Sequence, residues 1–327
     1  MNVLVTGGAG FIGSHLVERL VSDGHNVVVL DNLSTGRLQN LNLVIERIQF
    51  INCNIAKAGS WVAAFNGVDW VFHLAALADI VPSIQLPDAY FDANVNGTYN
   101  VLRASQSAKV SRLIYSASSS CYGVPEIYPT PEDAEIKPQY PYALTKRIGE
   151  ELVLHWADVY KLPALSMRFF NVYGPKSRTS GTYGAVFGVF LAQKLAGKPF
   201  TIVGTGDQTR DFTYVTDVVD ALIKAAQSNF MGMSLNVGSG STVSVNQVVN
   251  LLGGDKVFIP KRPGEPDVTF ANIEKIQKLL GWKPRVPIEV GIKNMLSNID
   301  YWKDAPVWTP ISIEKATSDW FKYLGST

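Results

Sequence analysis

Two periodicities alternate through the first half of this chain, and their order narrows the folds open to it more than any other feature. Short runs at residues 2–6 (NVLVT), 26–30 (NVVVL), 48–51 (IQFI), 69–73 (DWVFH), 112–115 (RLIY) and 162–170 (LPALSMRFF) read as strands. Residues 11–22, 57–66, 88–108 and 140–160, which lie between them, repeat apolar side chains at helical spacing. Runs apolar almost throughout are buried on both faces, and a strand-helix-strand succession lays them side by side in parallel. The expected fold class is α/β, a doubly wound parallel sheet with helices on both faces.

After residue 170 the texture changes. Gly and Pro punctuate shorter elements (NVYGP, GTGDQTR, NVGSGST, KRPGEPD), and residues 183–196, 215–228, 244–252, 272–280 and 287–302 read as helices. This predicts one domain over 1–170, with a returning segment near 210–240, and a smaller interleaved α/β domain mainly over 171–327. A cleft between them follows. The 327 residues carry a formal net charge of +1, which gives no field for nucleic acid or an anionic membrane, so an anionic partner must be met by a local site. No basic leader precedes an apolar core at the N-terminus and no window approaches a membrane span, so a cytoplasmic location is expected. Cys53, Cys121, His15, His25, His73 and His155 fit no metal-ligand spacing, and no metal site is predicted.

The stretch TGGAGFIG, Thr6 to Gly13, follows the first strand and opens the first helix. Gly7, Gly10 and Gly13 supply a tight turn and a backbone that a pyrophosphate can approach, beside a helix N-terminus that favours the anion. Asp31 ends the second strand eighteen residues after Gly13, where its carboxylate would accept from a ribose 2′-OH and repel a 2′-phosphate, so NAD is favoured over NADP. Asn54, after the third strand, is placed either to meet an adenine or to close a turn. In PYALTK, Tyr142 and Lys146 are four apart at the start of a helix and share a face. A neighbouring ammonium and an oxidised nicotinamide would both lower the tyrosine pKa from near 10 and make it a general base for a substrate hydroxyl.

These motifs, with DNLSTGR (31–37), HLAA (73–76), NVNGT (94–98), SASSSCYG (116–123), RFFNVYGP (168–175) and TRDFTYVTDVVDA (209–221), resemble the extended short-chain dehydrogenase/reductases, most of all NAD-dependent nucleotide-sugar epimerases of the UDP-glucose/UDP-galactose 4-epimerase type. The likeness runs from Met1 to about Trp282; the segment from Tyr301 onward matches nothing in it. It implies a Rossmann-type domain holding NAD through Gly7, Gly10, Phe11, Ile12, Gly13, Asp31, Asn32, Asn54, Ile55, Leu74, Ala75, Ala76, Asn94, Tyr142 and Lys146. It also implies a second domain gripping a nucleoside diphosphate-sugar, with UDP the expected nucleotide, through Ser118, Ser119, Asn171, Arg210, Arg262, Glu265 and Thr269. Ser118, Tyr142 and Lys146 take the catalytic positions: the tyrosine removes the 4-OH proton, Ser118 hydrogen-bonds O4, and hydride leaves C4 for NAD and returns to the other face.

Thr269 falls where a residue limits pocket size beside the sugar, which leaves the N-acetyl sugars open, and Ala78 replaces a lysine frequent in the galactose enzymes. Sugar-nucleotide 4,6-dehydratases and decarboxylases share most of these motifs but resemble TDE or TSE at the strand end, where this chain has Ser118-Ser119-Ser120 and no carboxylate. UDP-glucuronate 4-epimerases often carry threonine in place of Asn171, which tilts the reading toward a neutral hexose. A non-catalytic NAD-sensing regulator on the same fold would typically lack the Tyr142 and Lys146 pair. Helices 88–108 and 140–160 resemble those that pair between subunits in the family, which predicts a homodimer.

Overall fold

The computed structural model describes residues 1–177 and 186–325. Its first part runs β1 (Asn2–Thr6), α1 (Phe11–Ser22), β2 (Asn26–Asp31), β3 (Ile48–Asn52), β4 (Trp70–His73), α2 (Ile80–Gln85), α3 (Pro87–Phe91), α4 (Gly97–Ala108), β5 (Arg112–Ser118), α5 (Pro141–Val159) and β6 (Ala164–Phe169). The second runs β7 (Asn171–Tyr173), α6 (Val186–Leu195), β8 (Phe200–Val203), β9 (Thr209–Arg210), β10 (Phe212–Tyr214), α7 (Val215–Gln227), β11 (Met233–Val237), β12 (Val243–Ser244), α8 (Val245–Leu252), β13 (Lys256–Ile259), α9 (Glu274–Leu280), α10 (Ile288–Ser297), α11 (Pro310–Ala316) and α12 (Ser318–Leu324).

Seven strands form one sheet in the order β11-β6-β5-β4-β1-β2-β3, every pair parallel. The inner runs read as strands are buried as that arrangement requires, with Val3, Leu4 and Val5 of β1 and Leu113 and Ile114 of β5 fully enclosed, while β3 at the sheet edge stays partly exposed. β2 and β4 flank β1 on opposite sides, so the winding reverses there and the loops leaving β1 and β4 part to leave a crevice. Three two-stranded sheets, β7 with β10, β9 with β12 and β8 with β13, make up the second part.

Besides the core between the sheet and α4 and α5, which holds Leu4, Val71, Leu102, Leu113 and Val153, two large apolar cores match this division. One packs the sheet against α1 and α7 and takes in Ile276 of α9 and Trp282, while the other gathers Tyr173, Phe187, Phe190, Phe200, Phe212, Ile292, Met295 and Trp302. Chain order and core membership therefore do not coincide: α7, β11 and α9 return to the first core.

Several elements differ from the pattern reading. The segment 57–66 folds only as a 3₁₀ turn at Ser60–Phe65. The helix expected over 88–108 is interrupted by a π turn at Asp92–Asn96, which gives Asn94 the room to reach the loop after β4. The pattern 287–302 splits into α10 and a 3₁₀ turn at Ile299–Trp302, and the start of the segment 183–196 lies outside the described residues. α5 opens with Pro141 at its first position, where the fixed φ suits a helix start and no N–H is lost to the ladder. From that start Tyr142, Lys146 and Glu150 fall on one face, against β5 and β6. Among the described residues no helix is long and apolar enough to cross a membrane.

Candidate active site

One cavity of about 660 Å³ runs along the C-terminal edge of the sheet and on between the two cores. At its inner end the loop after β1 packs against the loop after β4. Gly7 has φ +72°, and a Cβ there would sit 2.6 Å from the Ala75 backbone nitrogen, while a Cβ on Gly13 would sit 2.1 Å from the Gly7 carbonyl oxygen. Only glycine lets these backbones touch. Phe11 and Ile12 then open α1 facing the cavity, and among the described residues their N–H groups meet no acceptor.

Asp31 is 8 % exposed and accepts from the Ala9 N–H (3.0 Å) and the Leu33 N–H (2.8 Å). Burial raises its pKa, and these two bonds pull the other way. Open helix-start donors at one point and a buried carboxylate at the end of β2 match the chemistry of a dinucleotide: diphosphate at the first, ribose hydroxyl at the second.

The cavity brings together Gly7, Gly10, Phe11, Ile12, Gly13, Asp31, Asn32, Asn54, Ile55, Leu74, Ala75 and Ala76 with Ser118, Ser119, Tyr142, Lys146, Asn171, Arg210, Arg262, Glu265 and Thr269. Asn94 lies behind the cavity wall rather than in its lining. That side chain is 1 % exposed; its Oδ1 accepts from the Leu77 N–H (2.8 Å), and its Nδ2 donates to the Leu77 carbonyl (3.0 Å) and Thr145 Oγ1 (3.0 Å). Through these bonds Asn94 braces the loop after β4 against α5. Asn32 and Asn54 reach the cavity wall but spend their Oδ1 atoms on the Ser34 and Ala56 N–H groups, so each also closes a turn.

At the end of β5 the chain turns through Ser119–Tyr122, and the Ser118 and Ser120 hydroxyls lie 2.8 Å apart. Both act on the Tyr142 hydroxyl, opposing the rise in its pKa. Ser120 is thus a participant that sequence reasoning valued only for lacking a carboxylate. Burial raises the Tyr142 pKa, with the two serines opposing, so in the protein by itself the tyrosine is not lowered as the ammonium argument expected.

Lys146 explains the difference. It is 4 % exposed, donates to the Ser116 carbonyl and lies 4.5 Å from the centroid of the Tyr115 ring, and burial pushes it down to about 7 despite Glu150. Desolvation acts on both groups at once and weakens the ammonium meant to assist the tyrosine. Below the site, Glu150 is enclosed by Arg168, Arg147, Ser166 and Ser234, and Arg168 donates to the Tyr122 hydroxyl (2.7 Å).

At the other end Arg210 pairs with Glu265 at 2.9 Å and Arg262 lies 3.7 Å from the same carboxylate. Glu265 Oε2 is buried and has no hydrogen-bond partner among the described residues. Two cations thus meet one carboxylate at the cavity wall. Thr269 accepts from the Asp211 N–H (3.2 Å) and donates to Asn171 Oδ1 (2.8 Å). A hydroxyl has one proton, so this bond fixes the Asn171 amide with its NH₂ turned away from Thr269. Thr269 therefore holds Asn171 as well as lining the wall.

Other lining residues went unnoticed in the sequence. Tyr140 stacks on Tyr142 (6.3 Å between centroids, 10° between planes), and Trp320 of α12 packs against Tyr140. Near the glycine loop Arg37 lies over the Tyr301 ring, whose hydroxyl donates to Asn40 Oδ1 (3.0 Å). Cys53 and Cys121 are free thiols, pushed by burial to about 11 and about 12.

Comparison with known proteins agrees with this geometry. Residues 3–238 match the model of the NAD dependent epimerase/dehydratase family. The UDP-glucose 4-epimerase of Mycolicibacterium smegmatis is 37 % identical over 305 residues, which are 89 % of this chain and 96 % of that protein. The crystal structure of Thermotoga maritima UDP-glucose 4-epimerase with UDP-glucose superposes with a TM-score of 0.86 at 33 % identity, covering 93 % of this chain and 99 % of that one. That of Bacillus cereus UDP-glucuronic acid 4-epimerase, in complex with UDP-glucuronic acid and NAD, gives 0.84 at 31 % identity over the same shares.

Proposed function

The chain belongs to the NAD-dependent epimerase/dehydratase family, and from that membership we propose that it is a 4-epimerase of a nucleoside diphosphate-hexose, with UDP-glucose and UDP-galactose or their N-acetyl forms as the reacting pair. The observation that carries this choice within the family is the strand end after β5. Ser118, Ser119 and Ser120 occupy it, and none of the three brings a carboxylate to the Tyr142 oxygen. Elimination of water across C5 and C6 needs an acid and a base beyond the tyrosine, and a serine hydroxyl supplies no carboxylate base at neutral pH.

Tyr142 takes the O4 proton, and Ser118, accepting from Ser120 and so keeping its own proton free, donates to the oxygen as negative charge develops on it. NAD, when bound, supplies the hydride acceptor that takes hydrogen from C4 and gives it back, so no net oxidation results. Lys146, between the Ser116 carbonyl and the Tyr115 ring, is placed to hold a ribose hydroxyl and keep a positive charge near Tyr142. Arg210, Arg262 and the Asn171 amide suit the diphosphate, whose oxygens accept from all three, and Glu265 suits a ribose hydroxyl. With the anionic end so fixed, the 4-keto sugar rotates within the cavity, presents its other face, and regains its proton from Tyr142.

The exposed Phe91, Tyr99 and Leu144 on α3, α4 and α5 fit a homodimer through these helices, which sedimentation would measure. The decisive experiment incubates purified protein with NAD and, separately, UDP-glucose, UDP-N-acetylglucosamine and UDP-glucuronate, with products followed by NMR. A C4 epimer from either neutral sugar is expected. A 4-keto-6-deoxy sugar or released CO₂ overturns the reading, and epimerisation of UDP-glucuronate alone corrects the sugar while keeping the reaction.

A further inference from the structure

The segment after Tyr301 lies beyond the matched family region, yet one of its side chains lines the cavity. Trp320 sits on α12 and is 4 % exposed, a degree of burial unusual for so large a side chain on a short C-terminal helix. Its Nε1–H donates to the Pro263 carbonyl at 2.7 Å, and the Arg262 guanidinium carbon lies 5.3 Å from its ring centroid. The ring therefore holds the 261–266 loop twice, once through the backbone and once through the cation that faces the cavity.

The helix that carries Trp320 is itself anchored. Asp319 accepts from Gln85 Nε2 at 2.8 Å, which fixes α12 to α2 beside the seven-stranded sheet, while Ile313 of the preceding α11 sits in the second core. Tyr140, stacked on Tyr142, also packs against Trp320. An aromatic row thus leads from the reacting tyrosine to Arg262, and Arg262 in turn lies near Glu265, which pairs with Arg210.

We propose that Trp320 is a positioning residue for the nucleoside diphosphate end of the substrate, acting through Arg262. An arginine on an unrestrained loop must lose much of its rotamer freedom when it grips a phosphate. Stacking on a fixed indole removes part of that freedom beforehand and leaves the planar fork pointing along the cavity. Because α12 is tied to α2 and α11 to the second core, the same contact holds the Arg262 loop at a set distance from Tyr142. This inference rests on the reading of the cavity as a nucleotide-sugar site.

The test is a double-mutant cycle on binding of UDP to the NAD-loaded protein by calorimetry, using Trp320→Leu, Arg262→Ala and the pair, with NAD content and circular dichroism as checks on folding. Trp320→Leu is expected to weaken UDP about tenfold, or about 1.4 kcal/mol, and to raise the KM for UDP-glucose more than it lowers kcat. In the Arg262→Ala background the same change should cost less than twofold, because the group it acts through is gone. Trp320→Phe keeps the ring and loses only the N–H donor, so it should recover most of the affinity. If Trp320→Leu does not fold, Trp320→Gln, which keeps an N–H donor but removes the ring under Arg262, carries the cycle with the same expectations.

Equal losses in both backgrounds overturn the proposal, as does UDP affinity that Trp320→Leu leaves unchanged. Since the cycle is read on UDP, a protein that binds UDP and epimerises nothing removes the proposed reaction without deciding this point, which the cycle then decides. A wild-type protein without affinity for UDP overturns both.

Discussion

Replacing Glu150 by Gln tests the polar cluster on which the reacting face of α5 rests. Glu150 and Arg168 have side chains only 1 % and 5 % exposed. The carboxylate takes bonds from Arg168 Nε at 3.0 Å and Nη2 at 2.8 Å, from Ser166 at 2.7 Å and from Ser234 at 3.1 Å. Gln keeps the shape and one acceptor, but it removes the charge and turns an NH₂ toward a guanidinium or a serine. Breaking such a pair leaves a buried cation uncompensated, at a cost of about 3–5 kcal/mol. At roughly 2 °C per kcal/mol for a chain of this length, Tm should fall by about 6–10 °C.

Differential scanning calorimetry at pH 7.5 measures it, with Glu150→Met/Arg168→Leu as the control. That double variant removes both charges and should be more stable than Glu150→Gln. Burial pushes the Glu150 carboxyl up, but Arg168 and its other partners outweigh it and hold the group below its ordinary value. Its contribution is therefore present above the unfolded value and is lost as pH falls through the folded one, so the gap between wild type and Glu150→Gln should narrow in acid. A fall below 2 °C, or a double variant less stable than the single, would refute the reasoning.

Gly13→Ala should abolish NAD retention, measured by absorbance of the purified protein at 260 and 340 nm after reduction, because its Cβ meets the Gly7 carbonyl at 2.1 Å. Thr269→Val should raise the KM for UDP-glucose about tenfold by releasing the Asn171 amide, and Thr269→Ser should restore it; if the reverse order is seen, Thr269 acts by size instead. Lys146 is pushed by burial to about 7, below its unfolded value, so between these the unfolded chain binds the extra proton and the group's contribution to stability rises with pH. Thermal unfolding of the NAD-free protein from pH 7 to 9.5 should show that rise in wild type and lose it in Lys146→Met.

The parts of the site legible in the sequence are those set by short-range rules. The glycine loop, Asp31 and the Tyr142-Lys146 spacing each follow from a strand end or one turn of helix, and the cavity contains all of them. Asn94 shows the limit: a motif gives a position along the chain, while the π turn and the Leu77 loop decide where the amide goes. Trp320 and Pro263 are 57 residues apart, and Tyr301 and Asn40 are 261 apart. No periodicity links residues at such distances, and only the packing of the two cores brings them together. The burial that acts on Tyr142 and Lys146 was out of reach for a related reason, since it depends on the sheet packed against α5.

The path of the chain between the cores bears on how ligands leave. It crosses after β6, before α7, after β11 and on either side of α9, and the first crossing, Phe169 to Val172, lines the cavity floor. Connections in parallel resist every relative displacement of the two bodies except a rotation about a line that passes near them all. A rotation of that kind would displace least the floor of the cleft, where the first crossing lies. A molecule at the rim exchanges with each swing, whereas one seated deep on the glycine loop outlasts many of them. Such a division of residence times is what lets a redox partner serve as a resident tool, reused for successive sugars, in place of a second substrate that leaves after each turnover.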